Sequence, residues 1–217
     1  METFGSGSIS ARLGVTYTEA TFYIDAGTSG SGKKKLMASG MKCSDPNLEY
    51  RPFQKYDNSC WGRCDYEGYW NKKTSLPEGQ GIRISCVGNT FKGEFKTGKL
   101  NGYAVAHYSS GEKYEGYFKD DRLRGKGIWT FKDGSTEEGE WKDNKKNGYC
   151  VIKNSSEKKT FEGNFKNNSK HGQGKEFCND GSTYQGFWVD GKKHGLITYT
   201  SKEGSSQTQI WSNGTKQ

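Results

Sequence analysis

From Tyr114 the chain reads YEGYFKDDRLRGKGIWTFKDGST, and from Tyr184 it reads YQGFWVDGKKHGLITYTSKEGSS, the same 23-residue unit in the same register. The third position of the unit is glycine at Gly68, Gly93, Gly116, Gly139, Gly163 and Gly186, in steps of 25, 23, 23, 24 and 23. The fifth is always aromatic: Trp70, Phe95, Phe118, Trp141, Phe165, Trp188 and, in a degenerate closing unit QTQIWSNG, Trp211. The first position is Tyr66, Phe91, Tyr114, Phe161 and Tyr184, broken by Glu137 and Gln207, and the twelfth is glycine from Gly79 through Gly102, Gly125, Gly148, Gly172 and Gly195. A period of this length means a repeat architecture in which each unit buries its apolar face against the next.

Within a strand successive side chains point to opposite faces, so positions one, three and five of each unit share a face and read aromatic, glycine, aromatic. Positions twelve to eighteen of the Tyr114 unit, Gly125, Gly127, Trp129 and Phe131, do the same, while Lys126 and Thr130 point the other way. Each unit is therefore expected to be a β-hairpin with one aromatic face and one solvated face. Asp133-Gly134, Asp180-Gly181 and Glu203-Gly204 supply connecting turns suited to positive φ. Glycine in the strands lets a large ring lie flat on the neighbouring strand, where a Cβ would hold it off. With 30% hydrophobic residues, 14% aromatic ones, 31 glycines and 3 prolines, the buried area must come from rings stacked along a sheet. The expected fold is all-β: an elongated single-layer array of stacked antiparallel hairpins over residues 66–217, six units and the closing one, preceded by a small β-rich region, residues 1–65.

The pattern Y-E-G-x-[FW]-K-[DN], then G-x-G, an aromatic strand and D-G-S, as in Tyr114 to Ser135, resembles the MORN (membrane occupation and recognition nexus) repeat. Departures are Glu137 at the first aromatic of its unit and Ala104, Cys150 and Ile197 at the second glycine, where ring stacking is expected to differ locally. The resemblance implies a non-catalytic binding scaffold, with a partner's helix or loop docked along the aromatic groove or phospholipid headgroups bound. The groove or core aromatics are then Trp70, Phe95, Tyr114, Phe118, Trp129, Trp141, Phe165, Tyr184, Trp188 and Tyr199.

No catalytic constellation competes with that expectation. FYIDAGTSGSGKKKL, residues 22–36, meets the phosphate-loop spacing from Gly27 to Lys33, but Lys34 stands where the magnesium-holding hydroxyl belongs. It reads as a flexible hairpin connection. His107, His171 and His194 fall at different points of different units, with no partner carboxylate or cysteine arrangement. Cys43, Cys60, Cys64 and Cys86 have spacings too irregular for zinc, so no metal and no cofactor is expected. Residues 1–65 could cap the first hairpin or form a partner-specific arm; RLGVTYTEATFYID alternates like a strand or two. METFGSGSISARLG lacks an apolar leader, so the expected location is cytoplasmic, at the cytoskeleton, a cilium or a membrane surface.

The net charge of +8 divides unevenly: 8 Lys+Arg against 7 Asp+Glu up to residue 65, and 25 against 18 beyond it. Arg122, Arg124, Lys126, Lys145, Lys146, Lys170, Lys192 and Lys193 are expected to occupy the first turns of their units. Stacking would align them as a basic edge with a spacing of about 10 Å, two strands per unit. Two functions follow: a scaffold docking a partner protein in a cytoskeletal or ciliary assembly, or a peripheral adaptor whose basic edge meets anionic phospholipid. Nucleic acid is not an expected partner, because the aromatics are committed to the core face.

Overall fold

The computed structural model describes residues 45–58 and 62–217. Among them fifteen strands form one sheet, each antiparallel to the next and in the order of the chain. After β1 (Leu48–Asn58), the six units contribute β2 (Gly62–Asn71) and β3 (Pro77–Ser85), β4 (Thr90–Lys96) and β5 (Lys99–His107), β6 (Lys113–Lys119) and β7 (Arg122–Thr130), β8 (Thr136–Lys142) and β9 (Lys145–Lys153), β10 (Lys159–Lys166) and β11 (Ser169–Phe177), and β12 (Thr183–Val189) and β13 (Lys192–Thr200). The closing unit adds β14 (Ser206–Ser212) and the two-residue β15 (Thr215–Lys216). This is the all-β hairpin array expected from the repeat.

The sheet begins before the first unit. Strand β1 pairs along β2 with Tyr50 opposite Tyr69. The rings of these two tyrosines meet edge to face at 5.8 Å, and the Arg51 guanidinium lies 5.0 Å from the Trp70 ring centre. Residues 48–58 thus occupy an edge that the first hairpin would otherwise expose. The glycine-lysine segment 22–36 and the alternating segment before it lie outside the described residues.

Turns of two kinds alternate. Inside each unit from Phe91 onward, a two-residue turn places both central residues at positive φ, as in Asp120 (50°) and Asp121 (66°) or Asp143 (50°) and Asn144 (66°). That is the twist-matched hairpin turn, and aspartate and asparagine tolerate it better than most side chains. The Asp-Gly connections between units differ from expectation, because only the glycine has positive φ, as at Gly134 (86°). Asp133 there accepts hydrogen bonds from the Ser135 N–H and Oγ instead, at 2.9 and 2.6 Å.

The second turn residue also ties neighbouring units together. The Asn144 N–H donates to the Leu123 carbonyl at 3.3 Å, and its side-chain Oδ1 accepts the Leu123 N–H at 2.8 Å. Asp121 clasps Leu100 and Asn168 clasps Lys146 in the same reciprocal way, whereas Gly191 and Gly214 keep only the backbone half. Asn144→Ala is expected to lose both the side-chain hydrogen bond and the tolerance of positive φ, about 2 kcal/mol together, against about 1 kcal/mol for Asn144→Gly. Urea denaturation of the two variants checks the order; equal losses would mean the positive φ costs alanine nothing, and a glycine variant as stable as wild type would mean the side-chain clasp contributes nothing.

The core is a herringbone of rings on one face. In three units the ring at position one wedges edge-on between the position-five rings of its own unit and the next, as Tyr66 does between Trp70 and Phe95 at 5.3 and 5.0 Å, and Tyr114 between Phe118 and Trp141 at 5.2 and 5.7 Å. Phe161 sits likewise between Phe165 and Trp188 at 5.3 and 5.4 Å. Each such contact adds about 0.5 to 1.5 kcal/mol beyond its buried area. The wedge lies over position fourteen of its own unit, which explains the second glycine. A Cβ built on Gly81 would stand 2.1 Å from the Tyr66 Oη, and one on Gly127 would stand 2.1 Å from the Tyr114 Oη.

Candidate functional site

The line of position-one rings is broken at the fourth unit. Position one there is Glu137, and no ring bridges Trp141 to Phe165, so the core splits into one cluster ending at Trp141 and a second starting at Cys150. A cavity of about 430 Å³ opens on the aromatic face beside the gap, lined among others by Glu137, Lys146, Ile152, Phe161, Phe165 and Lys170. Glu137 and Lys146 form an ion pair across it.

The composition of that face changes at the same unit. Position ten is buried and apolar in the first three units, as Pro77, Leu100 and Leu123, and lysine in the next three, as Lys146, Lys170 and Lys193. These lysines lie across rings: Lys146 Nζ is 5.0 Å from the Phe165 ring centre, Lys170 Nζ 4.3 Å from that of Phe161, and Lys193 Nζ 4.0 Å from that of Tyr184 and 5.3 Å from that of Trp211. Glu176 accepts from both Lys170 and Lys193, one on each oxygen, at 2.7 and 2.5 Å. Burial alone would raise the Glu176 carboxyl, but hydrogen bonds and charges from the two lysines outweigh it and hold its pKa below the ordinary glutamate range. This pairing stabilises the fold above the unfolded-state pKa and is lost as pH falls through the lower native one.

The ten aromatics singled out in the sequence divide by depth. Trp70, Phe95, Tyr114, Phe118, Trp141, Phe165 and Trp188 are buried in the herringbone and offer no free surface. Trp129, Tyr184 and Tyr199 are half-buried. Trp129 stacks on Tyr108 at 5.1 Å, and Tyr184 tilts against Tyr199 at 5.0 Å. Tyr184 is less deeply set than Tyr114 because Ile197 occupies the glycine position beneath it.

The basic residues also divide, onto two faces. Arg122, Arg124, Lys126, Lys145 and Lys192 are exposed on the outer face, but Lys146, Lys170 and Lys193 have the strand parity of the core and lie across the aromatic face. The outer row gains members that were not singled out: Lys119 is the register partner of Arg122, and Lys142 of both Lys145 and Arg124. Like charges directly opposite one another weaken a sheet, so this row is held at some cost. Of the four cysteines weighed for zinc, Cys43 and Cys60 lie outside the described residues, Cys64 is buried and Cys86 is exposed. Among the histidines, His171 Nδ1 stands 3.5 Å from Asp190.

The family model of the MORN repeat matches at residues 91–113, 114–136, 138–156, 161–183 and 184–206. The chain belongs to the MORN repeat family. The middle MORN match is the shortest and starts one residue after Glu137, at the same place where the herringbone and the apolar position ten give out. No curated protein matches the chain. Among solved structures, the SAS-4 (dCPAP) TCP domain of Drosophila melanogaster, in complex with a proline-rich motif of Ana2 (dSTIL), is similar over 75% of this chain and 96% of that one, at 14% identity and a TM-score of 0.39. A likeness that distant says nothing about what this MORN array binds.

Proposed function

We propose that this MORN array is a non-catalytic scaffold that docks a segment of a partner protein on its aromatic face, within a cytoplasmic cytoskeletal or ciliary assembly. The observation that carries the proposal is the cavity beside Glu137, where the repeat omits a ring that its other full units supply. An apolar side chain from outside would pack there on Ile152, Phe161 and Phe165, and such burial is the usual anchor of a protein interface. A second reading, a peripheral adaptor for anionic phospholipid, is favoured by the exposed outer row with its opposed like charges.

Closing the cavity tests both. Glu137→Phe with Lys146→Leu and Cys150→Gly restores the pattern seen as Tyr114, Leu123 and Gly127, with the glycine the new ring needs beneath it, and replacing the recessed ion pair by apolar groups is expected to leave stability unchanged or raise it by about 1 to 2 kcal/mol. A protein captured from native lysate by the wild type should be lost from this variant. Lys145→Glu with Lys192→Glu should retain it. Recovery of anionic lipid that fails only with the outer-face reversal would reject the scaffold and favour the adaptor.

A further inference from the structure

Resting on the docking proposal just made, we infer that the occupant of the aromatic face from Glu137 to Trp211 is an acidic peptide segment with one apolar anchor. Its carboxylates would meet Lys146, Lys170 and Lys193, and its apolar side chain would enter the cavity beside Glu137.

Hydrogen-bond capacity gives the sign of the charge. Each ammonium has three donors and no acceptor. Glu176 already spends both oxygens on Lys170 and Lys193, and Glu137 is paired with Lys146. Three cations thus share two carboxylates, and the spare capacity is nearly all donor. A cationic ligand would find the faces of Phe161, Phe165 and Tyr184 taken by lysines, whereas a carboxylate finds unfilled N–H groups.

Depth separates a peptide from a flat anionic surface. The Lys146, Lys170 and Lys193 side chains are only 12, 28 and 18% exposed. A bilayer lying on the sheet cannot descend to them, but single side chains can. The ring floor and the cavity also ask for an apolar group, which a soluble polyanion lacks.

The spacing gives the segment a pattern. Lysines one unit apart are separated by two strand spacings, about 10 Å. Every third residue of an extended segment repeats at about 10 Å, and every seventh residue of a helix at about 10.5 Å. Asp or Glu at one of those intervals, flanking a Leu, Ile or aromatic residue, is the expected sequence.

The test is selection of a random fifteen-residue phage-displayed library on the intact chain, with selected peptides resynthesised and titrated. Enriched peptides should carry that acidic spacing, bind in a salt-sensitive way, and lose about tenfold in affinity to Lys170→Gln and to Lys193→Gln. Either variant leaves Glu176 one cationic partner, so neither strands a buried carboxylate, and thermal melting checks that each is folded. Peptides that need the open cavity but are neutral or basic, or acidic peptides indifferent to both lysine variants, would overturn the charge assignment while docking on this face stood. If every selected peptide bound the Glu137→Phe/Lys146→Leu/Cys150→Gly variant as well as wild type, docking at the cavity would itself fail. Phosphatidylserine vesicles released by Lys170→Gln, or a wild-type dimer dissolved by closing the cavity, would make lipid or a second copy the occupant and overturn the peptide.

Discussion

Asp121→Ala is expected to cost about 3 to 5 kcal/mol, the range for breaking a buried ion pair by removing one partner. Asp121 sits in the two-residue turn of the third unit, yet its Oδ1 accepts from the buried Arg83 guanidinium of the first unit at 2.8 Å and from the Leu100 N–H of the second at 2.9 Å. The guanidinium in turn lies 4.9 Å from the Phe91 ring centre and 5.5 Å from that of Phe95. One carboxylate therefore joins three units. Asp121→Asn separates its two roles, because Asn144 and Asn168 make the same backbone clasp with a neutral amide. The asparagine variant should keep the clasp, lose the charge, and fall between alanine and wild type. Adding Arg83→Met to it should recover much of the loss, since the cation that needed the anion is gone. Urea denaturation followed by tryptophan fluorescence measures all three, and an alanine variant within about 1 kcal/mol of wild type, the scale of one ordinary hydrogen bond, would contradict the assignment.

Gly127→Ala is expected to cost about 3 kcal/mol, combining overpacking with loss of ring contacts. Its Cβ would stand 2.1 Å from the Tyr114 Oη and 2.5 Å from Cζ, and Tyr114 is fully buried between Phe118 and Trp141. The ring cannot tip away without leaving the herringbone. The chain contains a solution to the same problem: the preceding unit pairs Phe91 at position one with Ala104 at position fourteen, both buried. Tyr114→Phe removes the atom that clashes most closely but leaves Cζ at 2.5 Å, so Gly127→Ala with Tyr114→Phe should recover part of the stability, in a cycle where the two changes are non-additive. Additive losses would mean the glycine serves its own backbone rather than the ring above it.

Much of this was legible before any coordinates. Even position ten carried its signal in the sequence: Lys146, Lys170 and Lys193 have the parity of the glycines at position twelve, and parity alone puts them on the aromatic face. Grouping them with Arg122 and Lys145 followed from their nearness to the turns. In a strand, adjacent residues face opposite ways, so nearness along the chain misleads. The break at Glu137 was likewise visible as a departure from the repeat, but a missing ring announces neither a cavity nor its lining.

The hairpin unit, the aromatic face and the need for glycine under the rings can be read from the chain, because all of these follow from strand alternation within one unit and recur along the repeat. What depends on neighbouring units meeting emerges from the folded sheet: the Asp121 carboxylate reaching Arg83 38 residues back, the turn-to-turn clasps, Glu176 shared by Lys170 and Lys193, and the cavity beside Glu137. Those contacts join side chains about one or two units apart. Their partners are set by how the hairpins stack, and that stacking is a property of the assembled sheet.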